Sequence, residues 1–193
     1  MIQIVDPLEL FDAWLSEAQK SEPNDPNAVA LATTTADGWP SVRMVLAKQV
    51  GEERFCFFTN ALSHKGTDLA ENPRAAMCFH WKTLRRQVRV EGAVTELSAE
   101  ASDGYFHSRS RASQIGAAIS DQSRALSSRE ELEARWRAFG EAHPGVIPRP
   151  EYWRGYCVQA ARIEFWMDGA HRLHDRFLFT RDGDGWAKSR LYP

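Results

Sequence analysis

The sequence predicts an α+β fold, an antiparallel β-barrel with helices packed outside it. Three observations point that way. Short alternating or apolar runs recur at close spacing between residues 28 and 97, and again between 155 and 190. Helical patterns gather in two places instead of alternating with the strands, so parallel βαβ units are not expected. Hairpin turns at Asp37-Gly38 and at Asp182-Gly183-Asp184-Gly185 join neighbouring strands directly.

The elements follow in order. Asp6 and Pro7 read as N-cap and first residue of a helix whose Leu8, Phe11, Trp14, Leu15 and Ala18 share one face. The run Pro23 to Pro26 ends it. Strands are expected at Ala28 to Thr35, Ser41 to Lys48 and Arg54 to Thr59. In the second of these, Val42, Met44 and Leu46 fall on one side and Arg43 and Val45 on the other. Ser63 caps a short helix that Asn72-Pro73 terminates. Strands resume at Ala75 to Trp81 and Gln87 to Leu97, then helices at Ala99 to Ser108 and Ala112 to Ser120. A further helix starts at Ser128 with Glu131 as its capping partner. After the proline-rich loop His143 to Pro150, strands return at Gly155 to Met167, Arg176 to Thr180 and Trp186 to Arg190. These strands are expected within one domain over residues 1–193 whose first 25 residues are a helix and linker.

A chain of 193 residues can bury a real core. Its net charge of −2 gives no global basic field for nucleic acid and no polybasic tail for a membrane surface. No apolar run approaches the ~18 residues of a transmembrane helix. Met1 to Asp6 lacks the charged start and apolar core of a signal peptide, so a cytoplasmic protein is expected. Cys56, Cys78 and Cys157 are odd in number and widely spaced, and read as reduced core thiols. No metal-ligand spacing, carboxylate pair, Ser-His-Asp order, Gly-x-Gly-x-x-Gly or Walker-type loop occurs.

What remains is cationic, hydroxylic and aromatic, in four clumps. Arg43 and Lys48 lie five apart on one strand, so a regular strand points them to opposite faces and toward two different anions; the plain alternative is a pair of solvated strand ends. Thr59, Ser63, His64 and Lys65 surround a helix start, where free N–H groups favour an anion, unless Ser63 merely caps. Tyr105, Arg109 and Ser113 share one face if a helix runs through them, and three such donors suit a phosphomonoester. An RNA-binding or merely solvated face is the alternative. Arg172, Leu173, His174, Asp175 and Arg176 put two guanidiniums and an imidazole beside the aromatic strand of Glu164-Phe165-Trp166, with Gln122-Ser123 as a polar partner. Its plain reading is a surface turn in which Asp175 neutralises one arginine. Together the clumps suit a phosphorylated cofactor that carries the chemistry.

The chain resembles the pyridoxine (pyridoxamine) 5′-phosphate oxidases, FMN enzymes that make pyridoxal 5′-phosphate. The matching runs include Arg43 to Lys48, Phe58-Thr59-Asn60, Arg86-Gln87-Val88, Tyr105 to Arg109, Ser113 to Ala117, Gln122-Ser123, Ile163 to Trp166, His171 to Arg176 and Arg190 to Pro193. The resemblance spans Pro26 to Pro193. It implies a split-barrel FMN-binding fold and a homodimer with FMN at the subunit interface. It also implies oxidation of pyridoxamine and pyridoxine 5′-phosphate by O2, giving hydrogen peroxide. On the matching positions, Arg43, Met44, Val45, Leu46, Ala47 and Lys48 would line the FMN site, with Phe58, Thr59, Lys65 and Gln87. Gln122, Ser123, Trp166 and Arg176 would reach FMN from the partner chain. Lys48, Tyr105, Arg109 and Ser113 would hold the substrate phosphate, while Arg172, Leu173 and His174 would lie against its ring. His64 stands where the family usually has a second basic residue, and the family's N-terminal arm has no counterpart before Asp6. Two rival readings are a split-barrel flavin oxidase of another aromatic substrate, such as a dihydrophenazine carboxylate, and a non-catalytic protein that binds FMN or pyridoxal phosphate.

Overall fold

The computed structural model describes residues 6–193; the signal-peptide reading of Met1 to Val5 lies outside the described residues. Helix α1 (Pro7–Ser21) starts where its cap predicts, with the Asp6 carboxylate accepting from the Leu8 amide at 2.8 Å. Its buried face brings Phe11 edge-on to Phe55 and Phe79, at 4.8 and 5.0 Å, and Trp14 to Phe165 at 5.1 Å. The helix thereby seals the aromatic core of the barrel.

The strands are β1 (Ala28–Thr34), β2 (Pro40–Leu46), β3 (Lys48–Val50), β4 (Glu53–Asn60), β5 (Arg74–Trp81), β6 (Arg86–Glu96), β7 (Trp153–Met167), β8 (Asp175–Asp182) and β9 (Gly185–Arg190). Among the described residues nine strands form where eight runs were expected. They form one sheet in the order β2-β1-β5-β6-β7-β4-β3, with β8 on β7 and β9 on β8, and every pairing is antiparallel. The run expected as a single strand from Ser41 to Lys48 is β2 and β3, broken at Ala47. Ala47 donates its N–H to the Asn27 carbonyl and accepts from the Asn27 side chain, each at 2.9 Å. Those two bonds take Ala47 out of the ladder. Since β2 and β3 are the two ends of the sheet and one residue separates them, the sheet has to curl upon itself.

The barrel splits along β7. Residues 153–157 of that strand pair with β4 and residues 162–167 pair with β8, while β6 pairs along its other edge from Tyr156 to Met167. The β6–β7 register shifts between Glu91 and Gly92, where any Cβ on Gly92 would run into the Gln159 carbonyl.

Within the β4–β7 register Cys56 faces Cys157, and their sulfurs are bonded. This corrects the reading of three reduced thiols; Cys78 alone is free. The two cysteines lie 101 residues apart, and only strand pairing makes them neighbours.

Helix α2 (His64–Glu71) is capped by Ser63 and ends at Asn72, as the sequence predicts. Helices α3 (Ala99–Ser108), α4 (Arg111–Ile119) and α5 (Arg129–Ala142) lie outside the barrel. Phe106, Ile115, Ile119, Ile147 and Trp153 make a second apolar cluster between these helices and the start of β7. Among the described residues, no helix is long and apolar enough to cross a membrane.

Candidate active site

The break at Ala47 does more than close the sheet. Arg43 and Lys48, assigned to opposite faces of a regular strand, both line one cavity of about 560 Å³. The period-two argument fails because the strand is interrupted between them. Met44, Val45 and Leu46 also line this cavity, whereas Ala47 is buried behind it.

Arg43 is held from behind. Its NH1 donates to Thr33 Oγ1 at 2.7 Å and the Leu31 carbonyl at 3.2 Å, and its NH2 donates to Ser41 Oγ at 2.7 Å. Thr33 in turn donates to the buried Asp68 carboxylate at 2.5 Å, and Asp68 lies 3.8 Å from the guanidinium. Burial pushes the Arg43 pKa down, and Asp68 opposes that.

Lys65, on the first turn of α2, is buried at 8% exposure. Its ammonium donates to Thr59 and Ser63 hydroxyls at 3.1 Å and to Gln122 Oε1 at 2.7 Å, while Thr59 donates to the same Gln122 oxygen at 2.9 Å. Two donors from different elements thus converge on one oxygen atom. Burial, then the neighbouring Arg43, lower the Lys65 pKa to about 8 against the pull of Asp68. His64 does not line the cavity; its Nε2 lies 3.5 Å from Asp68. Gln122 lines this cavity of its own chain, and Ser123 lies exposed outside it with φ 72°.

The opposite wall comes from α3 and α4. The helix does not run from Tyr105 through Ser113. Arg109 leaves α3 with extended backbone, and Ser110 caps α4 by accepting from the Ser113 amide. Tyr105, Arg109 and Ser113 nevertheless all line the cavity, because the corner between the helices wraps around it. Tyr105 stacks on Phe58 at 4.1 Å, the Lys48 ammonium lies 5.6 Å from the Tyr105 ring centre, and the Arg109 guanidinium lies 5.1 Å from that of Trp153. Arg109 NH1 is buried with no hydrogen-bond partner among the described residues. Burial lowers its pKa while Tyr105 opposes that. A buried guanidinium N–H without an acceptor is costly, and an anion in the cavity would relieve it.

Trp153, Gly116, Ala117, Ser120 and Asn60 also line the cavity; Asn60, Gly116 and Ala117 fall within the matching runs without an assigned role, and Trp153 and Ser120 were not singled out. Trp153 carried one faint signal, an aromatic after the proline-rich loop. Thr33 and Asp68 carried none.

A second group of expected site residues lies outside this cavity. Gln87 faces Trp166 across β6–β7, and Trp166 faces Arg176 across β7–β8. Gln87 therefore sits beside Trp166, another of the residues that the resemblance assigns to FMN. Arg176 donates to Glu164 at 2.9 Å and to the Tyr192 carbonyl at 2.7 Å, and Arg89 also pairs with Glu164. Burial opposes the charge on Glu164, yet the hydrogen bonds from Arg176 and Arg89 hold its carboxyl below the usual range. His174 packs on Trp166 with ring centres 4.7 Å apart. Arg172 and Leu173 are exposed, and Arg172 follows His171 in a short turn (Ala170–Arg172) where both have positive φ, 57° and 65°. Asp175 pairs with Arg190 at 2.7 Å, so neither Arg172 nor Arg176 is the arginine it neutralises. Among the described residues, no cluster of His, Cys, Asp and Glu could hold a metal ion.

A curled antiparallel sheet divided along one long strand, with a cationic cavity at its seam, defines a split-barrel protein of the FMN-binding class. An FMN-binding protein from Nostoc punctiforme has the same fold, with a TM-score of 0.81 at 16% identity over 99% of this chain and 100% of the other. PhzG from Burkholderia lata, solved with tetrahydrophenazine-1-carboxylic acid, superposes with a TM-score of 0.93 at 30% identity, covering 100% and 95% of the two chains. Residues 15–141 match the family model for pyridoxamine 5′-phosphate oxidase, and residues 153–193 match the pyridoxine 5′-phosphate oxidase C-terminal dimerisation region. The pyridoxine/pyridoxamine 5′-phosphate oxidases of Gluconobacter oxydans and Sphingopyxis alaskensis are each 56% identical over 189 residues, covering 97% of this chain and 94% and 88% of theirs. The chain belongs to the pyridoxamine 5′-phosphate oxidase family.

Proposed function

We propose that this chain oxidises pyridoxamine and pyridoxine 5′-phosphate to pyridoxal 5′-phosphate with FMN as cofactor, O2 as acceptor and hydrogen peroxide as product. The observation that carries the reading is one cavity with two separate cationic walls. Lys65 and Thr59 converge on a single oxygen on one wall, and Arg109, whose NH1 has no hydrogen-bond partner among the described residues, lines the other. Two walls of donors suit two phosphates, one on the cofactor and one on the substrate. None of the lining side chains is a redox group, and FMN when bound supplies the two-electron acceptor they lack.

On this reading Arg43, Thr59, Lys65 and Gln122 hold the FMN phosphate, and Met44, Val45, Leu46 and Phe58 flank its ring. Lys48, Tyr105, Arg109 and Ser113 hold the substrate phosphate. Gln87, Trp166, Arg172, His174 and Arg176 complete the site of a second copy. They lie outside their own chain's cavity, and all but Gln87, which pairs with Trp166 from β6, fall in the family's dimerisation region. The chain's contribution is orientation: both ring systems are clamped in contact, which can supply about 7–11 kcal/mol of barrier reduction. Residues 1–193 act as one domain. Phosphorylated substrates do not cross bilayers unaided, which is consistent with a cytoplasmic enzyme.

Mass spectrometry of the released cofactor, followed by peroxide and aldehyde assays on pyridoxamine phosphate, tests the reading. FMN, a dimer and stoichiometric peroxide are expected. FAD, or a flavin-loaded protein that oxidises a dihydrophenazine carboxylate but neither vitamer phosphate, would overturn it.

A further inference from the structure

The two arginines of the cavity are held in different ways. Arg43 has the Asp68 carboxylate 3.8 Å behind it. Arg109 has no carboxylate partner among the described residues, and its buried NH1 has no hydrogen bond. What it has is the face of Trp153, 5.1 Å from the guanidinium carbon to the ring centre. A ring face attracts a cation through its negative quadrupole without cancelling the charge. A carboxylate in that place would take up the N–H groups and neutralise the cation that an incoming anion needs.

Trp153 is itself fixed. It opens β7 and is 5% exposed. Its carbonyl accepts from Arg149 NH1 at 2.6 Å, while Arg149 Nε donates to Asp103 on α3 at 2.5 Å. Its ring lies nearly parallel to those of Phe58 and Tyr105, at 13° and 15°, with centres 5.2 and 6.1 Å away. Phe106 meets it edge-on at 5.1 Å. The Lys48 ammonium lies over the Tyr105 ring of the same group, at 5.6 Å. Two cations that enter from different elements therefore rest on one set of near-parallel rings. Below them Gln114 donates to the Arg109 carbonyl at 2.8 Å and fixes the main chain of the corner.

We propose that Trp153 is a positioning residue for the substrate phosphate: its indole face holds the Arg109 guanidinium in the cavity and leaves the charge to the ligand. That the ligand is a substrate phosphate rests on the function proposed above; that Trp153 acts through Arg109 does not. The guest so selected is an oxyanion, because it brings the acceptor that the buried NH1 lacks.

Trp153 also belongs to the second apolar cluster, so the test must separate positioning from packing. A double-mutant cycle does so. FMN-loaded wild type, Trp153→Leu, Arg109→Ala and the double variant are titrated with pyridoxamine phosphate in stopped flow, which gives Kd and the limiting rate of flavin reduction. The same four proteins are titrated with inorganic phosphate by calorimetry. Trp153→Leu is expected to weaken both ligands by roughly 3- to 30-fold, the worth of one cation–ring contact, with FMN content and limiting rate little changed. In the Arg109→Ala background the same substitution should move Kd by less than about twofold. Trp153→Phe, which keeps a ring face, should fall between wild type and Leu. If the Leu variant does not fold, fluorinated tryptophan keeps the indole shape and weakens its face, and its effect on Kd should likewise require Arg109. An unchanged Kd in Trp153→Leu or in the fluorinated protein, or an equal loss with and without Arg109, overturns the proposal. A cycle that behaves as expected with inorganic phosphate, together with a flavin that no vitamer phosphate reduces, would instead sink the functional reading and leave the Trp153 assignment standing.

Discussion

The buried ammonium of Lys65 makes cofactor affinity a function of pH. Its pKa falls from 10.5 to about 8 through burial and the neighbouring Arg43. Apoprotein therefore releases that proton as pH rises through about 8. A phosphate dianion seated beside Lys65 favours the charged form, so above pH 8 FMN binding takes up a proton. Affinity must then weaken with rising pH, by up to about tenfold in Kd per unit for one linked proton. The sign for stability of the unliganded fold is the reverse. Between about 8 and 10.5 the unfolded chain holds more protons than the folded one, so this lysine's penalty is fully present below 8 and is relieved as pH climbs through that window. Lys65→Met removes one charge-assisted hydrogen bond, about 1.5–3 kcal/mol, or roughly 10- to 150-fold in Kd near neutral pH. It should also flatten the alkaline dependence. Quenching of flavin fluorescence on titrating apoprotein with FMN from pH 7 to 9.5 measures both. A wild-type Kd that stays constant over that range, or a Met variant with the wild-type slope, refutes the reasoning.

Four further outcomes are expected. Arg109→Ala should raise KM for phosphorylated substrates by on the order of 1.5–3 kcal/mol of binding while leaving FMN content unchanged; loss of flavin would reassign that wall of the cavity. Arg172→Ala should slow reduction of bound flavin in stopped flow by on the order of 10²-fold with little change in melting temperature, because the side chain is exposed and carries no core packing. Gly92→Ala, which forces a Cβ into the Gln159 carbonyl at the β-bulge, should destabilise the fold by about 3 kcal/mol or more in urea unfolding. Thiol titration of the unfolded protein should find one reactive cysteine before reduction and three after it, given the Cys56–Cys157 bond.

Much of the architecture was legible because it depends on local patterns. The cap at Asp6, the cap at Ser63, the stop at Asn72 and the hairpin at residues 182–185 each follow from residue chemistry within a few positions. The class of ligand was legible for a similar reason: clusters of arginine, lysine and hydroxyls in which cations outnumber carboxylates, with no metal-ligand spacing, leave phosphate as the natural guest. The motif runs carried the family.

Whatever depended on register or on a local break was not legible. Alternation separates Arg43 from Lys48, and only the Asn27 bonds that pull Ala47 out of the ladder bring them into one cavity. Helical spacing aligns Tyr105, Arg109 and Ser113, yet a corner between two helices is what presents them. Pairing of β4 with β7 made partners of Cys56 and Cys157, and pairing of β6 with β7 moved Gln87 next to Trp166. By itself the sequence determined the element types, their order and the chemistry of the ligand, since those rest on neighbours along the chain. The tertiary structure decided which side chains meet, because strand pairing joins residues that no periodicity relates.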